Sequence, residues 1–526
     1  MTNKLSADLV KQIDSIFAEW DKAGSPGCAL AISQDNEIVY ERGYGYAQLE
    51  YDIPITPDTI FHVASVSKQF TAMAIALLAA DGRVDLDASV RKYVPELADF
   101  GHLITVRHLV HHVSGLRDHW ELVRAAGWRM DDVITTEHLL KMVFRQRELN
   151  FEPGSEYLYC NSGYTLLAEI VRRVSGQTLR EFADERIFKP LGMNNTHFHD
   201  DHEEIVKQRA YSYKPNLAGG WRKSVLSYAN VGATSLFTTV RDLTKWLANF
   251  RHGKVGGKEV IELVQKPFIA NDGETIPYGF GLMLAEHMGW QEIGHSGSDA
   301  GFRSWCGRVE PHSLGVVILA NCATAVPREF ARRVAEVMLA DVAVKAEPEA
   351  VPQANPADFV GSYLLQFFGK KLTVTKEGEK LFAQFEGQAP EELRYLADAK
   401  YAAREARVSF GKGEDGHPQC TWEQRGINMV AKKLPAAAPS AEELAAYAGT
   451  YYSPELDTTY HIDLCDGELV VSHQRLSDTA LVPFGTDTFL ERTSPGFELK
   501  FGREEGKISG FGLGSGRMRH VRFVKH

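Results

Sequence analysis

Phe61-His62-Val63-Ala64-Ser65-Val66-Ser67-Lys68-Gln69-Phe70 places a serine and a lysine three residues apart, Ser65-x-x-Lys68. The residues that follow repeat apolar side chains at helical spacing: Phe70, Met73, Ala74, Leu77 and Leu78. Asp81-Gly82 ends the pattern. Ser65 is therefore expected at a helix N-terminus, with Lys68 one turn on and on the same face. A serine hydroxyl becomes a useful nucleophile only with a base beside it. A lysine amine serves if burial and the positive helix end lower its pKa. Ser-x-x-Lys also arises by chance on many helices, so its weight rests on motifs further along.

The chain around this stretch has 526 residues, a formal net charge of −11, 44% hydrophobic and 24% charged residues. That length predicts two to four domains of a soluble globular protein. The acidic balance argues against nucleic acid and against an anionic membrane surface as partners. The first residues lack an apolar signal core, and no stretch is long enough to span a bilayer. Six dispersed cysteines (Cys28, Cys160, Cys306, Cys322, Cys420 and Cys465) have neither metal spacing nor a disulfide framework. A reducing cytoplasm is the expected location.

Before Ser65, Ser6 caps an amphipathic helix with Leu9, Ile13, Ile16, Phe17 and Trp20, and strands Cys28 to Ser33 and Glu37 to Tyr46 flank the turn Asp35-Asn36. From about 85 to 200 the pattern is helical with long loops, and helices Thr165 to Val174 and Thr239 to Phe250 are expected. Near the end of this part three strands are expected at Gly281 to Leu284, Phe302 to Arg308 and Leu314 to Asn321, with a closing helix Pro327 to Val342. Strands and helices at both ends predict one antiparallel sheet built from both, with a helical insertion beside it.

A Pro-, Ala- and Glu-rich linker, residues 344–356, precedes short alternating strands. A second break, Leu434 to Ser440, divides them into two copies. Phe359-Val-Gly-Ser-Tyr363 matches Tyr447-Ala-Gly-Thr-Tyr451, and both copies end in a basic strand, Met429 to Lys433 and Val521 to Lys525. Two antiparallel barrels are expected, giving divisions 1–343, 357–434 and 442–526.

Two further motifs bear on chemistry. Tyr157-Leu-Tyr159-Cys160-Asn161 follows the turn Glu152-Pro-Gly154. Its tyrosine can act as a general base and acid, and its asparagine can hold a substrate amide. Gly294-His295-Ser296-Gly297-Ser298 opens a strand pair. It is an incomplete nucleophile elbow, because serine stands where Gly-x-Ser-x-Gly needs its last glycine.

Ser-x-x-Lys, Tyr-x-Asn and His-x-Gly in this order resemble the class C β-lactamase and penicillin-binding-protein serine hydrolases over residues 7–340. His112-Val-Ser-Gly-Leu116 and Pro190-Leu-Gly-Met193 add to the resemblance. The arrangement is most similar to three-domain D-stereospecific aminopeptidases, through Ser65 to Thr71, Ser114 to Asp118, Phe151 to Gly154, Tyr278 to Gly281 and Gly301 to Arg303. The fold so implied is an α/β (α+β) β-lactamase-like catalytic domain followed by two lipocalin-like barrels. The resemblance implies Ser65 as nucleophile, Lys68 and Tyr159 as proton-transfer groups, Asn161 as the substrate-amide ligand, and the N–H groups of Ser65 and Ser298, beside Gly297, as an oxyanion hole. His295 stands where many relatives carry lysine, and a largely neutral imidazole is a weak anchor for a carboxylate.

The substrates so implied are small peptides, amides or esters, with no cofactor and no metal, and a homo-oligomer is left open. A carboxylesterase or weak β-lactamase on the same scaffold, or a non-catalytic binder, are the alternatives. In the resembling aminopeptidases a loop of the last barrel limits the cleft and helps bind a free amine. Its counterpart here, Glu491 to Phe497, is shorter, which predicts a more open cleft. Histidines 108, 111, 112 and 119 fit no tetrahedral zinc spacing. His197-Phe-His-Asp-Asp-His202-Glu-Glu204 reads as a solvated loop, although its imidazoles and carboxylates together are more suggestive. Cys160 reads as a small buried residue.

Overall fold

The computed structural model describes residues 5–340 except 217, and residues 356–526 except 366–370, 379, 386–388, 398, 404–405, 414–417, 425–426, 435–438 and 493–495. The linker at 344–355, most of the break after Leu434 and the middle of the Glu491–Phe497 loop lie outside the described residues. Two compact units form: residues 1–120 with 130–346, and residues 121–129 with 347–526.

In the first unit, helix α1 (Ala7–Ile16) is capped by Ser6, whose Oγ accepts from Leu9 N. Strands β1 (Cys28–Gln34) and β2 (Glu37–Tyr44) form a hairpin. Asp35 and Asn36 both adopt positive φ, 51° and 70°, as a two-residue hairpin turn requires. A short strand β3 (Phe61–His62) leads into the Ser65 turn and helix α2 (Ser67–Ala80). Next come α3 (Asn161–Ser175), β4 (His197–Phe198), β5 (Leu236–Thr238) and α4 (Val240–His252). Strands β6 (Met283–His287), β7 (Trp290–Asp299), β8 (Phe302–Glu310) and β9 (Leu314–Ala320) precede helix α5 (Pro327–Met338).

The main sheet is antiparallel with order β6-β7-β8-β9-β1-β2. Residues from both ends meet directly, Cys28 opposite Ala320 and Gln34 opposite Leu314. Side-chain alternation covers both faces. Cys28, Leu30, Ile32, Val316 and Ile318 pack with Ile13, Phe17, Phe330 and Val334 of the two terminal helices and the turn after α1. Ala29, Ala31, Val317 and Leu319 face the larger core of Phe70, Met73, Leu243 and Trp246.

Helix α2 runs through that core. Every residue from Ser67 to Leu78 is buried, so the helix is covered all round rather than amphipathic. Phe70 is fully buried, with its ring centre 4.4 Å from that of Trp246. The His295 motif, expected to open a strand pair, belongs to a strand that starts earlier, at Trp290. The motif lies inside the ten-residue β7, where glycines and polar residues mask the alternation.

In the second unit, strands within Gly361–Lys433 close one eight-stranded antiparallel barrel, and strands within Gly449–Lys525 close another. The copies agree atom by atom where each barrel closes. Tyr363 Oη donates to Phe359 O and Tyr451 Oη to Tyr447 O, at 2.7 and 2.6 Å. Lys433 Nζ donates to Asp358 O and Lys525 Nζ to Ala446 O, at 3.0 and 3.1 Å. The shared glycine is required: Gly361 and Gly449 have φ of 148° and 151°, and a Cβ there would strike the lysine chain. Residues 121–129 belong to this unit. Tyr460 Oη donates to Ala125 O at 2.8 Å, and the Arg124 guanidinium lies 4.2 Å from the ring centre of Phe497.

Candidate active site

Ser65 sits in a single 3₁₀ turn before α2 and is the one partly accessible residue between Phe61 and Phe70. Its neighbour Ala64 is held at φ 47°, a region that costs a non-glycine residue about 1–2 kcal/mol. The turn is tied down from two sides. Ser67 Oγ donates to Ala64 O at 2.5 Å and accepts from Leu236 N of β5 at 3.0 Å. Ser304 Oγ of β8 donates to Val63 O at 2.8 Å.

Lys68 is fully buried. Its Nζ lies 3.1 Å from Ser65 Oγ, 2.8 Å from Asn161 Oδ1 and 2.7 Å from Ala233 O. The carbonyl oxygens of Asn161 and Ala233 can only accept, so each takes an N–H whatever the charge on the lysine. The third contact can run either way: an ammonium donates to Ser65, while a neutral amine accepts the serine proton. Gly281 keeps this turn of α2 reachable, since a Cβ there would come within 2.6 Å of the Lys68 carbonyl and of Gln69 N.

Asn161 is the first residue of α3, four residues earlier than the periodicity predicts. Cys160 offers no side-chain cap, and a carboxylate from elsewhere supplies it. Asp118 Oδ2 accepts from both Asn161 N and Asn161 Nδ2, each at 2.7 Å. That pair of bonds assigns the amide, turning Oδ1 toward Lys68. The side chain expected to hold a substrate amide is thus engaged by Lys68 and Asp118.

Tyr159 is brought to the same place. Lys68 Nζ lies 4.8 Å from its ring centre, and the His112 ring packs on it with centroids 4.2 Å apart. The His295 ring is 6.0 Å away. His295 is buried in β7; its Nδ1 lies 2.6 Å from Ser296 O and its Nε2 3.0 Å from Tyr278 Oη. Tyr278 Oη is also 3.1 Å from His112 Nε2, and His112 Nδ1 is 3.0 Å from Cys160 N and 3.1 Å from Cys160 O.

With both imidazoles neutral, as their burial favours, these donors and acceptors assign the protons. Ser296 O takes the Nδ1 proton of His295, so His295 Nε2 accepts from Tyr278 Oη. His112 Nε2 then donates to Tyr278 Oη, and His112 Nδ1 accepts from Cys160 N. Both imidazoles are neutral in this scheme. Burial pushes His295 down to about 3, with the Lys68 charge adding to the effect. His112 is also driven well below its usual value, first by burial and then by Lys68.

Gly297 lies beside the Ser65 turn, where a Cβ would meet Val63 O and Ser304 Oγ at 2.3 Å each. Ser298 follows it on β7, exposed and opposite Arg303. Cys160 is buried, its thiol pushed up to about 12 by burial. The histidines before Asp118 have backbone work. His108 completes a capping box with Thr105, and His111 Nδ1 lies 2.8 Å from Tyr278 O. Asp118, His112 and Tyr278 lie in segments that carry the family resemblance, but nothing in the local sequence gives these residues a role. The missing cap before Asn161 was the one available signal for Asp118.

A profile of the Beta-lactamase family matches residues 13–339. The chain belongs to that family. It is a serine hydrolase of the β-lactamase and penicillin-binding-protein kind. A D-aminopeptidase of Gluconobacter oxydans is 26% identical over 542 aligned positions, covering 100% of both chains. The octameric penicillin-binding protein homologue from Pyrococcus abyssi shares the fold at TM-score 0.58 and 25% identity, covering 89% of this chain and 98% of its own. The D-amino acid amidase from Ochrobactrum anthropi SV3 superposes at TM-score 0.55 and 26% identity, covering 64% of this chain and 99% of its own. Among the described residues, no helix is long and apolar enough to cross a membrane.

Proposed function

We propose that this hydrolase cleaves small amides and peptides of D-amino acids through an acyl-enzyme on Ser65. The observation that carries the reading is the Lys68 amine, buried, 3.1 Å from Ser65 Oγ and held there by two acceptor-only oxygens. Ser65 Oγ attacks the substrate carbonyl as Lys68 takes its proton. Tyr159, packed on Lys68, passes that proton to the leaving amine, and water then repeats the sequence in reverse to release the acid. The N–H groups of Ser65 and Ser298 hold the oxyanion; a donor of this kind is worth about 3–4 kcal/mol. Gly297 keeps the strand close enough for that, and Asn161 positions Lys68 while leaving one amide hydrogen for substrate.

The D-aminopeptidase and D-amino acid amidase relatives support the substrate class. The neutral, buried His295 supports it too, because it offers no cation to a substrate carboxylate. The shortened Glu491–Phe497 loop extends the reading to N-blocked substrates and longer peptides. Divisions at 343/357 and 434/442 and assembly as a homo-oligomer complete it; six unpaired thiols support a cytoplasmic location.

Intact-mass measurement after fluorophosphonate treatment tests the chemistry. One adduct is expected, and Ser65→Ala should remove both the adduct and hydrolysis, a loss of roughly 10⁴-fold or more. Unchanged turnover in that variant refutes the nucleophile. A panel of D- and L-amino-acid amides, short-chain esters and cephalosporins tests the substrate. Faster turnover of esters or cephalosporins than of D-amides overturns the proposed class.

A further inference from the structure

The segment His197 to Glu204 is not a solvated loop throughout. His197 and His199 are two apart at strand β4, so their side chains share one face while Phe198 turns into the core. The strand is anchored to β5: Phe237 pairs with His197, Leu236 with Phe198, and His199 N donates to Ser235 O at 2.8 Å. Both imidazoles lie on the Phe237 ring, at centroid distances of 5.7 and 4.4 Å. The chain then turns back through Asp201, whose Oδ1 accepts from Glu203 N at 2.9 Å, and delivers Glu204 to the two histidines.

Glu204 Oε2 lies 3.6 Å from His199 Nδ1 and 4.0 Å from His197 Nε2, and the three atoms are all within 4.8 Å of one another. In a tetrahedral zinc site with bonds near 2.0–2.1 Å, ligand atoms stand about 3.4 Å apart. The observed triangle needs only a small contraction. His199 is 98% buried, and its Nδ1, like His197 Nε2, is enclosed with no hydrogen-bond partner. A buried imidazole nitrogen without a partner is rare, and here two face one carboxylate.

Arg180 bonds both oxygens of Glu204, at 2.7 and 2.8 Å, and also Asp200 Oδ1 at 3.0 Å. A carboxylate ligand is commonly oriented in this way by an outer partner. Two cations oppose a metal here, Arg180 and Arg209, whose guanidinium lies 4.8 Å from the Phe237 ring centre. Glu204 and Asp200 balance them in charge.

We propose that His197, His199 and Glu204 bind one divalent transition-metal ion of the zinc type, with water completing a tetrahedral set. Nitrogen and oxygen donors of this composition suit zinc or cobalt rather than calcium or magnesium. The ion ties the returning Glu204 to β4, an edge strand of the three-stranded sheet β4-β5-β3, whose far strand leads into the Ser65 turn. Its role is structural: it fixes the 197–204 turn at the edge of that sheet.

The test uses untagged full-length protein, stripped with EDTA and titrated with Co²⁺. Visible bands of four-coordinate cobalt should appear, saturate at one equivalent and vanish on adding Zn²⁺. Zn²⁺ should also raise the melting temperature. His199→Gln and His197→Ala should lose the bands, whereas His202→Ala, at an exposed histidine of the same segment, should keep them. Arg180→Met should weaken binding roughly ten- to a hundredfold. No four-coordinate cobalt spectrum in the wild-type protein, or the same spectrum and stoichiometry in the His197 and His199 variants, overturns the proposal.

Discussion

Replacing Tyr278 by Phe removes one oxygen from the chain that runs Ser296, His295, Tyr278, His112, Cys160. The ring stays, so packing is conserved, but His295 Nε2 loses its donor at 3.0 Å and His112 Nε2 its acceptor at 3.1 Å. Both histidines are at most 3% exposed, so water does not replace the hydroxyl without rearrangement. Each orphaned group costs about 1–3 kcal/mol, hence about 2–6 kcal/mol for the pair. The catalytic unit has about 340 residues. At roughly 2 cal/mol/K of unfolding entropy per residue, each kcal/mol lowers its melting temperature by about 1.4 °C. Scanning calorimetry of wild type and Tyr278→Phe at pH 7.5 should therefore show a drop of about 3–8 °C in that transition. A double-mutant cycle with His295→Ala should show coupling of at least ~1 kcal/mol. A shift below about 1 °C with no coupling would refute the proton assignment.

Acid should destabilise the same unit early. His295 and His111 are pushed down to about 3 and about 4, and His112 well below its usual value, each mainly by burial. Between those values and the unfolded pKa near 6.5 the unfolded chain binds more protons, so stability falls as pH falls. At pH 5 His295 and His111 each account for about 2 kcal/mol, and His112 acts in the same direction; a melting temperature that holds steady from pH 7 to pH 5 contradicts this. Gly297→Ala drives a Cβ against Val63 O, a backbone atom, and about 1–3 kcal/mol of overpacking should slow fluorophosphonate labelling of Ser65 roughly 5- to 150-fold. An unchanged labelling rate means that β7 does not set the geometry of the Ser65 turn. In the second unit, burial pushes Glu491 up to about 7, offset by the Phe497 N–H and Arg124. Its raised pKa makes the folded state bind more protons between pH 4.5 and 7, so it costs stability above that window. Glu491→Gln should raise the barrel transition by up to about 3 kcal/mol at pH 8 and not at pH 4, and equal shifts at both pH values would show that ionisation plays no part.

What the sequence determined by itself is what depends on local geometry and on order. Ser65 and Lys68 had to share a helix face because three residues are nearly one turn. The Asp35-Asn36 turn followed from residues that tolerate positive φ. The two barrels were legible because duplication repeats the closing glycine and tyrosine two residues apart and ends each copy in a basic strand. Tertiary structure decided what comes from residues far apart in the chain. Only folding shows that Asp118 caps Asn161 and turns its amide to Lys68, since that helix start carries no local signal. Only folding shows that His295 is neutral through Tyr278 and His112, because its pKa is set by burial and not by its neighbours in sequence. The His197–Glu204 segment marks the boundary between the two. Its composition suggested ligands, but burial on Phe237 and the return of Glu204 set the three donor atoms together.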